Sequence, residues 1–315
     1  MSQSHGIALV DWGTSNLRVW ITGQEGGVRG HISSPLGADK LSSGQFYGVL
    51  KALLLEIGVE LGGAGKCPVV ICGMAGSRLG WAEAPYLPVS VPCANIPGHA
   101  IHIQTEDLDV RILPGLCVME PATPDVMRGE ETQLLGLYMQ DPDFSGVFCM
   151  PGTHSKWGMM QAGVVHMFQT AMTGELFALL SRQSVIRHVI GEDCAVTPDH
   201  PAFKKAVLDG YHHPAQLAFN LFPVRAGGLL FSATGMEAAA RLSGLLIGAE
   251  LSAALKKYHQ QTQIALIATG KLKHLYERAF QSIDRKFLLF DADDLVRKGL
   301  LFSAQKIFGS GEVGS

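Results

Sequence analysis

Hydrophobic and polar positions at the start of the chain predict a β-hairpin and a third strand. Ile7–Val10 is apolar and runs into Asp11, a Gly-Thr-Ser-Asn turn follows, and Leu17–Trp20 is apolar again. Val28–Ile32 predicts the next strand. Gln45–Leu61 predicts a helix, because its apolar residues recur every three or four positions. The opening of the chain therefore predicts a βββα unit.

The same succession returns in the second half of the chain. Gly146–Phe168 reads as a strand, a Gly-Thr turn, a strand, a glycine turn and a strand, and Gly174–Arg182 reads as the following helix. The two turns are built on Gly13-Thr14 and Gly152-Thr153. This duplication predicts an α/β protein with two like domains that face each other across a cleft, and ligands prefer such interfaces.

The domain boundary is placed at residue 140, which gives domains at 1–140 and 141–315. The last predicted helix, residues 291–308, is expected to pack back on the first domain. The remaining predicted elements are the strands Val69–Cys72, Val110–Leu113, Ile264–Ala268 and Phe287–Phe290, the helices Arg128–Met139 and Ala238–Leu255, and a helix that follows Thr269-Gly270 and runs through Phe280.

Composition narrows the class of protein. The 315 residues carry a net charge of −3 and are 47% hydrophobic, which predicts sizeable cores and gives no indication of a nucleic-acid or membrane partner. The six cysteines are scattered without metal-ligand spacing and indicate thiols in a reducing compartment. The opening MSQSHG lacks a basic-then-apolar leader, and no apolar run reaches about 18 residues. We therefore expect a cytoplasmic protein.

The Gly13–Asn16 turn has the chemistry of a phosphate cradle. Gly13 lets a ligand approach the backbone, and three short polar side chains add donors beside the backbone N–H groups. Asp11 would repel a phosphate directly, but it suits a bridging Mg²⁺, which is held by one or two carboxylates together with phosphates. The alternative is an ordinary hairpin with a polar turn.

Several segments of the chain resemble the 2-dehydro-3-deoxygalactonokinase family. The Asp-x-Gly-Thr motif, the second Gly-Thr turn and a strand ending in Thr269-Gly270 resemble the wider sugar-kinase, actin and Hsp70 ATPase superfamily. The segments that resemble the family itself span nearly the whole chain: DWGTSNLRVW (11–20), GMAGSRLGW (73–81), ILPGL (112–116), DVMRGEETQLLG (125–136), PGTHSKW (151–157) and VRAGGLL (224–230).

The resemblance implies a fold, a reaction and cofactors. The fold would be two ribonuclease-H-like βββα domains of the actin-like ATPase type. The first would bind the sugar acid and phosphate, and the second the nucleotide. The reaction would be phosphorylation of the terminal hydroxyl of 2-dehydro-3-deoxy-D-galactonate by ATP and Mg²⁺ in galactonate breakdown. The implied cofactor-binding residues are Gly13, Thr14, Ser15, Gly152, Thr153, His154, Lys156, Thr269 and Gly270, although Lys156 equally suits a solvated strand position.

A carboxylate base must lie close to the attacking hydroxyl. Related carbohydrate kinases place an Asp at a helix N-terminus after a glycine, and Glu130 stands at that place here. Glu131 and Asp125 are rivals for the role. Alternatively, Glu130 and Glu131 only complement the helix dipole.

The carboxylate of an anionic substrate calls for a guanidinium group or an amide-rich nest. Arg78, in a glycine-rich loop after a strand, is the first candidate, followed by Arg128 and Arg225. Each of the three could instead form a structural ion pair. Trp12 and Trp81 are candidates for shaping the sugar pocket, with core packing as the alternative.

Three other functions stay open. The protein could phosphorylate another sugar or sugar acid, act as a non-catalytic nucleotide-binding sugar sensor, or hydrolyse phosphate esters on the same fold. The first strand begins by residue 7, which argues against a DNA-binding helix-turn-helix ahead of it. The expected partners are ATP and a small sugar acid, and a homodimer is one possible assembly.

Overall fold

The computed structural model describes residues 6–23, 27–62, 65–192, 195–260 and 263–309. The chain divides into two compact units, which are described one at a time. The first comprises Met1–Phe144, Met160–Met167 and Ala292–Ser315, and the second comprises Ser145–Met159 and Phe168–Asp291.

The secondary structure is numbered in chain order. The strands are β1 Ile7–Trp12, β2 Leu17–Thr22, β3 Val28–Ser34, β4 Cys67–Gly73, β5 Tyr86–Pro88, β6 Ile101–Gln104, β7 Leu108–Ile112, β8 Gly115–Val118, β9 Asp125–Met127, β10 Ser145–Met150, β11 Ser155–Gln161, β12 Val164–Ala171, β13 Ile264–Ile267 and β14 Leu288–Phe290. The helices are α1 Phe46–Glu56, α2 Glu130–Gln140, α3 Thr173–Arg182, α4 Arg187–Ile190, α5 Pro201–His212, α6 Leu217–Phe231, α7 Gly235–Lys257, α8 Gly270–Ser282 and α9 Ala292–Phe308.

The first unit is built on a sheet with the strand order β3-β2-β1-β4-β7-β6. Strands β1 and β2 pair antiparallel, whereas β1, β4 and β7 run parallel. Val10 and Trp12 face a core that includes Phe46 of α1, while Leu9 faces a second core with Val296 of α9. The central strands are buried on both faces, which is why they read as continuous apolar runs.

The second unit has a five-stranded sheet with the order β12-β11-β10-β13-β14. Strands β10, β13 and β14 run parallel. The order repeats that of the first sheet from β3 to β7, so the two βββα patterns predicted from sequence are confirmed as β1-β2-β3-α1 and β10-β11-β12-α3. The short helix predicted at Gly174–Arg182 is also confirmed; it begins one residue earlier, at Thr173, with Met172 as its N-cap residue.

Helix α7 crosses the core of the second unit. Within the described residues it is the one helix whose length and composition would allow it to span a membrane, and 72% of its most apolar window is buried inside the structure. That burial is what the central helix of a globular domain shows.

Some elements differ from the sequence-based prediction. Residues 82–124 were predicted to hold one strand, yet β5, β6 and β8 also lie there. These strands have only three or four residues, too few for a period-two pattern to stand out. The helices α4, α5 and α6 were not predicted. Helix α1 ends at Glu56, ahead of the predicted Leu61, and Gly58 just beyond it has a φ of 80°.

Five of the six cysteines are described, and each is a free, buried thiol. They are Cys67, Cys72, Cys93, Cys117 and Cys149, whereas Cys194 lies outside the described residues.

Candidate active site

The loop that follows β3 holds the first Gly-Thr turn by backbone hydrogen bonds. The backbone N–H groups of Ala38 and Asp39 donate to the carbonyl oxygens of Gly13 and Thr14, both at 3.0 Å. Gly37 lies so close that a Cβ there would be 2.1 Å from the Thr14 oxygen. The side chains of residues 14–16 stay exposed. The carbonyl side of the turn is therefore fixed, and its donor side is open to a ligand.

The second Gly-Thr turn is supported in the same way within its own unit. The Glu175 N–H donates to the Thr153 oxygen at 2.9 Å, and a Cβ at Gly174 would be 2.4 Å from the Gly152 oxygen. His154 Nε2 lies 2.5 Å from Glu175 Oε2. Each turn is therefore contacted closely by a glycine, Gly37 or Gly174, from the segment that follows its strands. In each case the backbone N–H of a nearby acidic residue, Asp39 or Glu175, donates to the threonine carbonyl.

Asp11, at the end of β1, is paired with Arg18 on β2. Arg18 donates to Asp11 Oδ2 from Nε at 3.1 Å and from Nη2 at 2.5 Å. Arg18 also forms an ion pair with Asp293 at the start of α9. The cluster therefore contains two carboxylates and one guanidinium, and Arg18 holds the Asp11 carboxylate in one orientation.

The surroundings of Asp11 fit a magnesium ion that is bound mainly by phosphate and water. Oδ1 of Asp11 is contacted by the Cys72 thiol at 3.7 Å, and the side chain is 14% exposed. No group of three or more His, Cys, Asp or Glu side chains among the described residues is arranged to hold a metal. Mg²⁺ needs no such cage, since it keeps several waters and is held by one or two carboxylates plus phosphates.

The N-terminus of α2 lies against the end of β4. Gly129 has a φ of 107° and packs closely against Gly73. A Cβ added to Gly129 would lie 3.3 Å from the Gly73 Cα. Gly73 in turn lies next to Asp11, since a Cβ there would be 3.6 Å from Asp11 Oδ1. The structure therefore brings Asp11 and the first turn of α2, which carries Glu130, to the same end of the sheet.

Glu130 and Glu131 occupy different environments. Glu130 is half-buried and accepts a hydrogen bond from the Arg128 N–H at 3.0 Å. Glu131 is fully buried and accepts from the Gly129 N–H at 2.7 Å and from the Thr132 hydroxyl at 3.0 Å. Burial, reinforced by the charge of Glu130, raises the pKa of Glu131 to about 8. Asp125, the other rival, lies on β9 and accepts the N–H of Val126.

The three candidate arginines have different environments. Arg78 is exposed in the loop after β4, and Arg225 lies on α6 of the second unit. Arg128 is only 9% exposed; its Nη2 donates to the Ala84 oxygen at 2.8 Å and its guanidinium lies 4.2 Å from the Tyr86 ring centroid. Among the described residues the Arg128 guanidinium has no carboxylate partner, and its Nη1 is buried without an acceptor. A structural ion pair is therefore not what holds Arg128.

Trp12 is a core residue in this structure. It has no exposed surface, its indole N–H donates to the Leu36 oxygen at 3.1 Å, and its ring centroid lies 4.7 Å from that of Phe46. Trp81 packs against the same two rings and is half-buried. The prediction that Trp12 shapes the sugar pocket is corrected, because a fully buried ring cannot contact substrate.

Lys156 is 6% exposed and donates to the Thr170 hydroxyl of the neighbouring strand at 2.7 Å, so the alternative of a solvated lysine is wrong. Thr269 is the N-cap residue of α8, and Gly270 begins that helix with a φ of 58°. A helix N-terminus at the carboxyl end of parallel strands is a common place for ligands with phosphate groups.

A buried carboxylate lies beneath the second turn. Glu250 of α7 accepts hydrogen bonds from Trp157 Nε1 at 2.7 Å and from the Tyr276 hydroxyl at 2.8 Å. Thr173 and Ser155, which flank the turn on α3 and β11, also bond to it. Burial raises the pKa of Glu250, and these hydrogen bonds oppose that shift. The network ties the residues around the turn to the core.

Arg18 was not predicted as a site residue, although the register of the hairpin contains the signal. Trp12 and Leu17 close the turn, so the preceding and following residues, Asp11 and Arg18, must be cross-strand partners. By contrast, the contacts of Asp293 and Glu250 join residues far apart in the chain and have no local signature.

The repeated sheet order, the paired Gly-Thr turns and the acid at the end of β1 define a protein of the sugar-kinase and actin-like ATPase fold. A solved structure of the activator of 2-hydroxyisocaproyl-CoA dehydratase from Clostridium difficile, with bound ADPNP, is similar in fold. Its TM-score is 0.51 at 10% identity, with coverage of 98% of this chain and 99% of that one.

Within that class, residues 11–302 match the family model of 2-keto-3-deoxy-galactonokinase, and the chain belongs to this family. It is 40% identical to a probable 2-dehydro-3-deoxygalactonokinase from Rhizobium meliloti (strain 1021), over 98% of this chain and 99% of the relative. It is 36% identical to the 2-dehydro-3-deoxygalactonokinase of Escherichia coli (strain K12), over 87% and 89%. The crystal structure of a protein from Sinorhizobium meliloti, described as a putative 2-dehydro-3-deoxygalactonokinase, has a TM-score of 0.91 at 39% identity, with 98% of each chain covered.

Proposed function

We propose that this protein transfers the γ-phosphoryl group of ATP to the terminal hydroxyl of 2-dehydro-3-deoxy-D-galactonate in galactonate breakdown. Family membership supports the substrate and the reaction. The observation that carries the mechanism is the meeting of Asp11, the open Gly13–Asn16 turn and the first turn of α2 at one end of the first sheet. Phosphoryl transfer depends mostly on such positioning and on charge neutralisation.

Nucleotide binding is assigned to the two Gly-Thr turns and to the start of α8. The exposed donors of Thr14 and Ser15 suit phosphate oxygens, and Gly152, Thr153 and His154 offer a turn of the same construction. Lys156 would add a fixed positive charge behind the second turn, while Thr269 and Gly270 would adjoin the rest of the nucleotide. Asp11 would hold Mg²⁺ through water, and the ion would neutralise charge on the phosphates.

Glu130 is the proposed general base. Its carboxylate is half-buried at the start of α2, where a hydroxyl can reach it, and it lies at the same end of the sheet as Asp11. Glu131 is enclosed, and its raised pKa keeps it largely protonated at neutral pH, so it is assigned to holding the helix start. Asp125 accepts a hydrogen bond from the Val126 N–H of its own strand, β9, and is assigned the structural role of stabilising that segment.

The substrate carboxylate is assigned to Arg78, supported by Arg128. Arg78 is exposed and lies in the loop that follows β4, and a Cβ at Gly76 of the same loop would be 2.8 Å from Arg128 Nη1. Arg128 brings a buried positive charge without a carboxylate partner to that loop. Trp81 packs beside the loop, and Arg225, on a different unit, is the weaker candidate.

A coupled assay of ADP release tests the proposal. Purified protein with MgATP is expected to turn over 2-dehydro-3-deoxy-D-galactonate and to leave ATP intact without a sugar acid. Turnover only with a different 2-keto-3-deoxy sugar acid would overturn the substrate assignment but not the assignment as a kinase. ATP hydrolysis without an acceptor would favour a phosphohydrolase. Nucleotide binding without turnover on any sugar acid would favour the sensor.

The free cysteines fit a reducing, cytoplasmic setting.

A further inference from the structure

Helix α6 carries an apolar stripe on its outer side. Phe219, Phe222, Leu229 and Leu230 are 82%, 63%, 62% and 73% exposed. With Ala226 they recur at intervals of three, four and seven residues, the spacing of one face of a helix. These five residues are called the α6 stripe. Phe231, which is 82% exposed, lies beside its C-terminal end.

The inner side of the same helix is apolar as well. Val224 is 2% exposed, and Leu217 and Leu221 pack against the core formed with α7 and α4. Arg225 is the single charged residue among the 15 residues of α6. A helix that is apolar on all sides is normally buried on all sides. The inner side of α6 is buried by the chain's own core, whereas the α6 stripe stays exposed to water.

Gly227 gives a second, independent indication of an external neighbour. A Cβ at this position would meet only the Ala233 side chain at 3.6 Å, so packing within the chain does not require glycine. Glycine inside a helix costs about 1 kcal/mol relative to alanine. The missing side chain of this half-buried glycine leaves open space into which another element can approach closely. A surface pocket of about 120 Å³ opens beside it, lined by Pro223, Gly227, Phe231 and Arg241 among others.

We propose that the α6 stripe is the interface of a homodimer in which two copies of α6 pack antiparallel about a twofold axis. In a twofold interface each surface meets its own copy, so the surface must be complementary to itself. The α6 stripe meets this requirement by itself, because its apolar side chains extend from Phe219 to Leu230 along the helix and would face the same side chains of the second copy. The α6 stripe carries no charged side chain. The same stripe on a second copy is equally uncharged, whereas a nucleic acid or an acidic protein would bring charge to the contact.

The exposed apolar area is of the size that a dimer needs. At about 150–250 Å² for each aromatic side chain, Phe219, Phe222 and Phe231 leave roughly 400 Å² in water. That already matches the largest apolar patch of a typical monomer, roughly 300–600 Å². A standard interface buries about 800 Å² on each partner. The leucines of the α6 stripe extend the patch toward that value.

Light scattering coupled to size exclusion tests the dimer on the full chain. Wild-type protein at micromolar concentration is expected at about twice the 33.8 kDa chain mass. Phe219→Glu and Leu230→Glu should each raise the dimer dissociation constant at least tenfold. The matched control is Met119→Glu, which introduces the same charge at a 74% exposed apolar residue of the first unit and should leave the mass unchanged.

A cross-link keeps the test independent of disruptive variants. Ala226→Cys, near the middle of the α6 stripe, is expected to give a disulfide-linked dimer on mild oxidation, whereas the wild type is not. A wild-type monomer, a dimer that survives both glutamate variants, or a failure of the Ala226→Cys cross-link would each overturn the proposal. None of these outcomes bears on the kinase reaction, which the ADP-release assay tests separately.

Discussion

The Arg18 guanidinium holds the Asp11 carboxylate by two hydrogen bonds, from Nε at 3.1 Å and from Nη2 at 2.5 Å. The same guanidinium also pairs with Asp293 of α9. Asp11 is thereby aimed before any ligand arrives, and one carboxylate oxygen stays on the side of Gly73 and the start of α2. Such preorganisation is what phosphoryl transfer asks of a protein, since little reorganisation is then needed during the reaction.

Asp11→Asn is expected to lower kcat by roughly 100-fold or more, because charge stabilisation around the transferring phosphoryl group is lost. The fold should survive, since Arg18 keeps Asp293 as a partner. Kinetics at limiting Mg²⁺ with a thermal melt measure both effects. Asp109→Asn, in β7 of the same sheet and paired with Arg111, is the matched control. Wild-type turnover by Asp11→Asn at limiting Mg²⁺ would contradict the assignment.

Glu130→Gln keeps size and hydrogen bonding but removes basicity. General-base catalysis is typically worth about 10²–10⁴-fold, so kcat should fall by that order while the KM for the sugar acid changes little. Glu131→Gln and Asp125→Asn serve as controls and should retain most of their kcat. If one of these two loses kcat while Glu130→Gln keeps it, the base has been assigned to the wrong carboxylate.

Glu131 should make stability depend on pH. Its pKa is about 8 in the folded protein and about 4.5 as a free side chain, so the folded state holds a proton that the unfolded state releases between these values. The stability that it contributes is complete below about pH 4.5 and is lost as pH rises through about 8. Glu131→Gln mimics the protonated acid, because its amide can accept from Gly129 and donate to Thr132.

Melting temperatures of wild type and Glu131→Gln at pH 5 and pH 8 test this prediction. The variant should match the wild type at pH 5 and exceed it at pH 8. Part of the pH dependence will remain, since burial also raises the pKa of Glu250. A variant that is less stable than wild type by the same margin at both pH values would show that Glu131 is ionised in the folded protein.

Arg78→Ala should raise the KM for the sugar acid far more than the KM for ATP. A charge-assisted hydrogen bond is worth about 1.5–3 kcal/mol, which corresponds to about 10- to 150-fold. Arg29→Ala, an exposed arginine on β3 of the same unit, is the control and should change neither constant. An effect on the KM for ATP alone would move Arg78 to the nucleotide site.

Gly37→Ala and Gly174→Ala should each displace a phosphate turn. The new Cβ would lie 2.1 Å from the Thr14 oxygen or 2.4 Å from the Gly152 oxygen, and backbone cannot yield as a flexible side chain can. The KM for ATP should rise in both variants. Gly48→Ala, in α1 with open space around it, should instead stabilise the protein by up to about 1 kcal/mol. Unchanged ATP kinetics in both turn variants would separate these turns from nucleotide binding.

The sequence by itself determined the repeated βββα pattern, the two Gly-Thr turns and the acid at the end of the first strand. These features are local, since strand alternation, helical spacing and turn residues act over a few neighbouring positions. The hairpin pattern also implies a register that pairs Arg18 with Asp11, but Arg18 was not predicted from it and was found only in the structure. Family segments along the chain then identified the reaction that such a turn serves.

Only the tertiary structure decided which glutamate is buried, because Glu130 and Glu131 differ by about 100° around a helix whose packing no local pattern fixes. It also decided that Trp12 belongs to the core, that Asp293 completes the Arg18 cluster and that Glu250 supports the second turn. Each of these outcomes depends on contacts between residues far apart in the chain. Burial and charge pairing are properties of those contacts, so they exist only once the chain has folded.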